Sequence, residues 1–506
     1  VQTEKEYHKQ IRTFLKNKTF IVASNRGPYE FNRDEHGNLT KRRGGGGLVS
    51  ALMALGSVPN LVWMASAKSD TDRQIGLFGQ QINEPSLSLN VKFVDIDKKV
   101  YQPFYNEISN KLFWYTQHLL WNTPYSPTID LKTYRAWQNG YREANKTFAL
   151  SIASEANKSA NPLIFIQDYH LYLAPKMLRP LLKKGRILHF THIPWPSSEI
   201  WSLLPDLMVK ETISGLMGSD IIAFHSLDYV NNFLETVSKY FPVDIDSNRQ
   251  EIYWGKRRVL VKAYPISIST AQLASLATSK EVMAHEKELL AKNKGKIILR
   301  VDRAELSKNI IRGFLAYELL LKNNPALAGR VTFLAYLYET RNSNDYSQYL
   351  RSVKRLVKKI NDKYGQKDWT PIKLRVADNF LQSLAAYKVY DVLLVNSIFD
   401  GMNLVSKEGP LVNKKNGVLI LSKNCGAHNE LGSFAYIVNP FDIFQTANIM
   451  KQSLILSKEH RRQKALLLKE TVKRNNSLKW LYYQLKILDS LQTSQDIYLK
   501  KLHPIG

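Results

Sequence analysis

Short apolar runs alternate with stretches of helical period along most of the chain. The runs are FIVASN (20–25), LVWMASA (61–67), LIFIQD (163–168), ILHFTHI (187–193), DIIAFH (220–225), KIILRVD (296–302), VTFLAYL (331–337), LLVNS (393–397) and GVLILS (417–422). They are apolar at consecutive positions, as strands buried on both faces must be. Between most of them lie amphipathic segments such as IIRGFLAYELLLKNN, with apolar residues three and four apart. Strand and helix in alternation predict an α/β chain with parallel sheets covered on both sides. Both halves carry the pattern, and 506 residues exceed what one core organises. The reading is therefore two doubly wound Rossmann-like domains facing a central cleft, residues 1–265 and 266–475. The first closes near VKAYPISIST (262–270), where Pro265 follows a short apolar run. The tail SLKWLYYQLKILDSL reads as one amphipathic helix, with Ser477 as its expected cap. Residues 476–506 are expected to pack back toward the N-terminal domain.

Composition narrows the function classes. Hydrophobic content is 44% and charged content 23%, ordinary for a water-soluble globular chain. No apolar run approaches the ~18 residues of a membrane helix. The opening residues VQTEKEYHKQIRTFLKNKTF lack the apolar core of a signal peptide. The single cysteine, Cys425, excludes an intrachain disulfide and a cysteine-cluster metal site. A cytoplasmic protein is expected. The net charge of +27 comes from 71 basic and 44 acidic residues. It suits nucleic acid, an anionic surface or anionic small substrates. The basic residues are dispersed, as in KRRGGGG, GKRRVLVK and KRLVKK, and no nucleic-acid motif accompanies them. No specific nucleic-acid partner is expected.

Five segments carry candidate chemistry. SNRGPYEF places Arg26 just after a strand, and Gly44 to Gly47 precede a helical run. Bare glycines before a helix let backbone N–H groups approach a phosphate, and equally make a flexible loop. IFIQDYHLYLAP ends a buried strand at Asp168, a helix cap or a site residue. HFTHIPWPSSEIW ends the next strand at His192, with Pro194 and Pro196 holding a rigid turn. Two polar strand ends in succession favour a site at the sheet edge. In ILRVDRAELSKNI, Arg303 and Lys308 follow the first strand of the second half. They are solvated charges or a diphosphate clamp. Finally, DVLLVNSIFDGMNLVSKEGPLVN (391–413) runs from a strand through Asp400 and Gly401 into a helix bearing Glu408. Ionised carboxylates only accept hydrogen bonds, which suits sugar hydroxyls.

In order and spacing these segments resemble glycosyltransferase family 20. The resemblance rests on Ser24–Arg26 with Pro28, Gly46–Leu48, Gln167–His170, His192–Trp201, Asp302–Asn309 and Phe399–Glu408. GSDIIAFHSLDYVNNFL, CGAHNELGSFAYIVNPFD and YNEISNKLFW extend it from about residue 20 to 490. It implies the GT-B fold and a retaining, metal-independent transfer of glucose from a nucleotide sugar, UDP-glucose or GDP-glucose, to a sugar phosphate. Trehalose 6-phosphate is the implied product, no cofactor is needed, and a homo-oligomer is left open. Catalytic roles fall on His192, Arg303, Lys308 and Asp168. Donor contacts fall on Gly46, Gly47, Arg303, Lys308, Asp400, Gly401, Met402, Asn403, Leu404 and Glu408, with Glu408 on the ribose. Arg26, Tyr105, Trp114, Asp168 and Arg341 surround the acceptor, and no residue is a metal ligand.

The sequence also departs from the family pattern. Gln167 stands where the family has His, Asn309 where it has Gly, and Phe399 where it has Arg. These and the segments ASAKSDTDR and EGPLVN resemble a branch that includes a pseudo-glycosyltransferase acting on cyclitols. The alternative is thus a synthase with a cyclitol or other phosphorylated acceptor. A non-catalytic regulator or nucleic-acid binder is the further alternative, against which Arg303, Lys308, Asp400 and Glu408 argue.

Overall fold

The computed structural model describes residues 2–44, 49, 60–84, 87–339 and 344–491. The chain forms two compact units. One holds Gln2–Ile266 and the chain from Ser477 onward, and the other holds Ser267–Asn476.

The strands of the N-terminal unit are β1 (Thr19–Ser24), β2 (Tyr29–Arg33), β3 (Leu39–Arg43), β4 (Leu61–Ser66), β5 (Gln80–Glu84), β6 (Leu87–Val94), β7 (Pro162–Gln167), β8 (Arg186–Phe190), β9 (Ile221–Phe224), β10 (Asp244–Asp246), β11 (Glu251–Trp254) and β12 (Arg257–Ala263). Ten make one sheet in the order β10-β11-β12-β9-β8-β7-β1-β4-β6-β5, while β2 and β3 form a separate hairpin. The seven from β12 to β6 run parallel. Central strands β4 and β7 are buried at every position, as their unbroken apolar runs require. Antiparallel strands finish both edges, β10 and β11 on one side and β5 on the other. The apolar runs predicted five of the seven parallel strands, β1, β4, β7, β8 and β9, and missed β6 and β12. Edge strands have one solvated side, so their sequences, such as QQINE, carry little apolar signal.

The C-terminal helix, Ser477–Ser490, packs on β7, β8 and the first helix, Glu4–Leu15. Trp480 is buried, stands edge-on to Phe190 at 5.4 Å and donates its indole N–H to the Tyr264 carbonyl at 3.2 Å. Asp489 accepts from Lys18 at 3.0 Å and Arg186 at 3.2 Å. Ser477, expected as the cap, is instead the first residue of the helix.

The second unit is a six-stranded parallel sheet of β13 (Lys296–Arg303), β14 (Val331–Tyr338), β15 (Ile372–Val376), β16 (Val392–Val395), β17 (Val418–Ser422) and β18 (Tyr436–Val438). Its order is β15-β14-β13-β16-β17-β18. The order reverses between β13 and β16, the doubly wound arrangement in which ligands sit beyond the carboxyl ends of the strands. The helix Ile310–Asn323 covers one face, with Phe314 and Tyr317 edge-on to Phe333 at 5.2 and 5.3 Å. Among the described residues no helix is long and apolar enough to cross a membrane.

Replacing Trp480 with Ala should cost about 3–5 kcal/mol, the range for losing a buried aromatic ring. Thermal and urea melts followed by tryptophan fluorescence test this. Coincident melts of variant and wild type would mean that docking of the last helix does not stabilise the N-terminal unit.

Candidate functional sites

Each sheet gathers the predicted residues at its carboxyl edge. In the N-terminal unit, Arg26 follows β1, Asp168 follows β7 and His192 follows β8, three neighbouring parallel strands. The order reverses between β1 and β7, so Arg26 and Asp168 flank the reversal. Asp168 has φ +74° and ψ 169°, a backbone region that side chains rarely occupy. Its N–H donates to the Phe190 carbonyl at 2.7 Å, and its Oδ1 accepts the His192 N–H at 3.1 Å. These bonds hold the strained residue. Its side chain caps no helix, so the capping alternative fails.

His192 stacks on Phe190 at 4.6 Å, and its Nε2 lies 2.8 Å from Gln167 Oε1. Burial pushes the imidazole well below its ordinary pKa, and His225 and His189 push it further. It is therefore neutral at pH 7. Gln167, one of the departures from the family pattern, is thus the side-chain hydrogen-bond partner of the His192 ring.

Tyr105 sits in a π-helical segment, Pro103–Phe113, with Trp114 directly after it. Local widening of this kind often accompanies functional sites. Arg26 Nη2 donates to the Tyr105 hydroxyl at 2.9 Å. The Tyr105 ring stacks on His170 at 5.9 Å, and Trp114 lies 5.8 Å from Tyr169. The structure thus unites Arg26 and Tyr105 by direct contact. Gly46, Gly47, Leu48 and Arg341 lie outside the described residues.

In the second unit, β13 delivers Arg303 at its end and Lys308 five residues later. Asp400 lies beyond β16, the strand across the reversal. Lys308 is 7% exposed, and its ammonium donates to Asp400 Oδ2. The same carboxylate accepts from Ser397 Oγ at 2.9 Å and Asn403 Nδ2 at 3.0 Å. Burial works against the Lys308 charge, as does Arg303, but Asp400 and Asp302 together hold the ammonium above its ordinary pKa. Arg303 pairs with the buried Glu305 at 3.0 Å.

The turn after Asp400 depends on close backbone approach. A Cβ at Gly426 would lie 1.8 Å from the Gly401 carbonyl oxygen. Cys425 Sγ donates to the Met402 carbonyl at 2.9 Å, and Asn403 takes φ +63°. Leu404 then leads into the helix Val405–Val412, which presents Glu408 in its first turn. Tyr387 donates its hydroxyl to Glu408 Oε2 at 3.1 Å. Burial pushes the Glu408 carboxyl up to about 7, although the Tyr387 bond opposes this.

Sequence reasoning passed over Arg300, inside the apolar run of β13. Fully buried, it donates to Asp302 Oδ2 at 2.9 Å, to Asn396 Oδ1, and to the carbonyls of Lys308 at 3.0 Å, Asn309 at 3.5 Å and Ile310 at 3.3 Å. It staples the turn that carries Arg303 and Lys308. A charge in the middle of a buried strand was the available signal, since such charges occur only with partners. Asn309, in place of the family's Gly, has φ +58°, which Asn tolerates. Its amide donates to the carbonyls of Asn396 at 2.9 Å and Pro440 at 2.6 Å. Among the described residues no three His, Cys, Asp or Glu side chains gather as a metal site would.

The fold is that of a GT-B glycosyltransferase. The chain belongs to glycosyltransferase family 20, whose model matches residues 18–490. It is 33% identical over 452 residues to the α,α-trehalose-phosphate synthase (UDP-forming) of Candida albicans, covering 87% of this chain and 91% of that protein. It is 31% identical over 470 residues to α,α-trehalose-phosphate synthase (UDP-forming) 2 of Aspergillus fumigatus, covering 91% and 95%. A crystal structure of an α,α-trehalose-phosphate synthase (UDP-forming) from Burkholderia xenovorans in complex with glucose-6-phosphate shares the fold. The TM-score is 0.80 at 23% identity, over 93% of this chain and 100% of that one.

The Glu408 environment makes a signed prediction. Its folded pKa of about 7 lies above the ordinary value near 4.3, so between those values the folded state holds the extra proton. Its contribution to stability is present below that window and is lost as pH rises through it. Glu408→Gln cannot titrate. The wild-type melting temperature minus that of the variant should therefore fall from about pH 4.3 to about 7 and then level. A flat difference in differential scanning calorimetry across this range would overturn the assigned titration.

Proposed function

We propose that the chain transfers glucose from UDP-glucose to glucose 6-phosphate with retention, forming α,α-trehalose 6-phosphate. The observation that carries this is Lys308. A buried ammonium has three N–H donors, Asp400 takes one, and no other acceptor among the described residues takes the rest. Such a cation at the strand-order reversal is set to receive an anion, and the donor diphosphate supplies it. Arg303 binds the same diphosphate. Asp400 and the backbone from Gly401 to Leu404 hold the donor sugar, and Glu408 accepts from the ribose hydroxyls. In the N-terminal unit, Asp168 binds acceptor hydroxyls and His192 contacts the donor sugar. Arg26, Tyr105 and Trp114 hold the acceptor phosphate. The UDP-forming synthases at 31–33% identity support this substrate pair.

The chemistry follows from those roles. The bond from the glucose anomeric carbon to the diphosphate oxygen breaks, and a bond to the acceptor oxygen forms on the same face. The acceptor hydroxyl's proton passes to the departing phosphate oxygen. Arg303 and Lys308 stabilise the charge that develops there, which gives most of the catalysis in reactions of this type. They occupy the electrostatic role that a divalent ion plays elsewhere.

Lys308→Ala and Arg303→Ala should each lower kcat by about two to three orders of magnitude, as for loss of one transition-state charge contact. The assay is UDP release with proton NMR of the product, which reads the anomeric configuration. Near-normal turnover in either variant at saturating donor would overturn the diphosphate assignment. An inverted product would overturn retention.

Turnover should also persist in excess chelator. Activity abolished by chelator and restored by a divalent ion would remove the metal-independent mechanism.

A further inference from the structure

Lys68 lies two residues beyond the end of β4, at the offset that Arg26 has beyond neighbouring β1. Its side chain is half-buried. The ammonium donates to the Tyr101 hydroxyl and sits 4.8 Å from the centre of the Tyr105 ring and 4.7 Å from that of Tyr101. These two rings stack at 5.4 Å with 19° between their planes. The Tyr101 hydroxyl donates to Asn25 Oδ1 at 3.3 Å, and that oxygen also accepts from Ser66 Oγ at 2.9 Å. Arg26 reaches the Tyr105 hydroxyl from its own strand end. Two cations therefore converge on one phenol.

No carboxylate among the described residues forms an ion pair with Lys68. Asp72, fully buried nearby, spends its oxygens on the backbone N–H groups of Phe31 at 3.0 Å, Lys68 at 2.8 Å and Ser69 at 3.2 Å. Asp72 thus fixes where Lys68 leaves the strand without neutralising it. Burial opposes the Lys68 charge, and the Arg26 charge opposes it further, although Tyr105, Glu30 and Asp72 support it. Burial would raise the Tyr105 hydroxyl, yet Arg26 and Lys68 together hold it below its ordinary pKa. A desolvated ammonium set beside a guanidinium costs free energy that an anion would recover.

We propose that Lys68 is a specificity-determining residue that binds the acceptor's phosphate dianion together with Arg26 and Tyr105. Its fixed ammonium supplies a point charge, and Arg26 supplies the planar fork. This rests on the reading that the acceptor is a sugar phosphate. It adds a cation to the Arg26, Tyr105, Trp114 and Arg341 set that the family resemblance implied.

The test compares wild type, Lys68→Met and Lys68→Arg, with kcat/KM for glucose 6-phosphate and for glucose. Binding of inorganic phosphate is measured in parallel by calorimetry. Loss of one charge-assisted contact should cut the glucose 6-phosphate to glucose preference about 10- to 100-fold in Lys68→Met. The change should lie mainly in KM for the phosphorylated acceptor, phosphate affinity should fall with it, and Lys68→Arg should recover part of both. KM for UDP-glucose is the control for misfolding. Equal losses with both acceptors, or undiminished phosphate binding by Lys68→Met, would overturn the proposal. A wild type that uses both acceptors equally, yet loses phosphate affinity in Lys68→Met, would sink the sugar-phosphate reading and leave the anion site standing.

Discussion

The second unit depends on one buried guanidinium. Arg300 is 0% exposed in the middle of a parallel sheet, where an unpaired charge would be prohibitive. It is tolerated because its N–H groups all find oxygens, from the side chains of Asp302 and Asn396 and the carbonyls of residues 308–310. Satisfying Arg300 is the same act as shaping the turn that presents Arg303 and Lys308. The helix covering it leaves room through Gly313, where a Cβ would sit 2.5 Å from Arg300 Nη1. Burial pushes the neighbouring Asp302 carboxyl up to about 6, with Asp400 adding to the rise, while Arg300 and Lys308 hold it from going further.

Around this staple the charges are paired so that each partner orients a functional group. Asp400 holds Lys308, and Ser397 and Asn403 hold Asp400. Such a network is costly if half-satisfied and rigid when complete. The N-terminal unit follows different physics. Its cations gather around stacked tyrosines, where ring faces and a shared phenol take the place of carboxylates. At their candidate sites, one unit thus relies on ion pairs and the other on aromatic surfaces, although both put these residues where the strand order reverses.

Some of the departures from the family pattern have local physical accounts. Gln167 supplies a hydrogen-bond partner to His192 Nε2 at 2.8 Å. Asn309 keeps the left-handed turn that Gly would allow and adds two hydrogen bonds across it. Gly409, in the altered EGPLVN segment, packs closely on β16, since a Cβ there would lie 2.5 Å from Leu393 Cδ2 and that side chain would have to shift. Nothing in the structure accounts for Phe399 in place of Arg.

The sequence alone determined the nine buried parallel strands it named, because burial on both faces writes an unbroken apolar run. It also placed the candidate segments at Arg26, Asp168, His192, Arg303 and Asp400 at or just after the ends of strands, since each is a contiguous stretch of sequence. The strands β5, β6, β10, β11, β12 and β15, the hairpin β2–β3 and the short β18 were not among them, because alternating, partly solvated or very short strands lack that signal. The π-helical turn bearing Tyr105 had no marker in residue type. Only the tertiary structure decided that Arg300 would be satisfied by residues 2 to 96 positions away. It alone set Lys68 against a tyrosine 37 positions later and beside Arg26 across neighbouring strands. Local pattern specifies which segments become strands and turns. Which charges meet at the sheet edge is set by strand order, and strand order is fixed by packing among elements far apart in the chain.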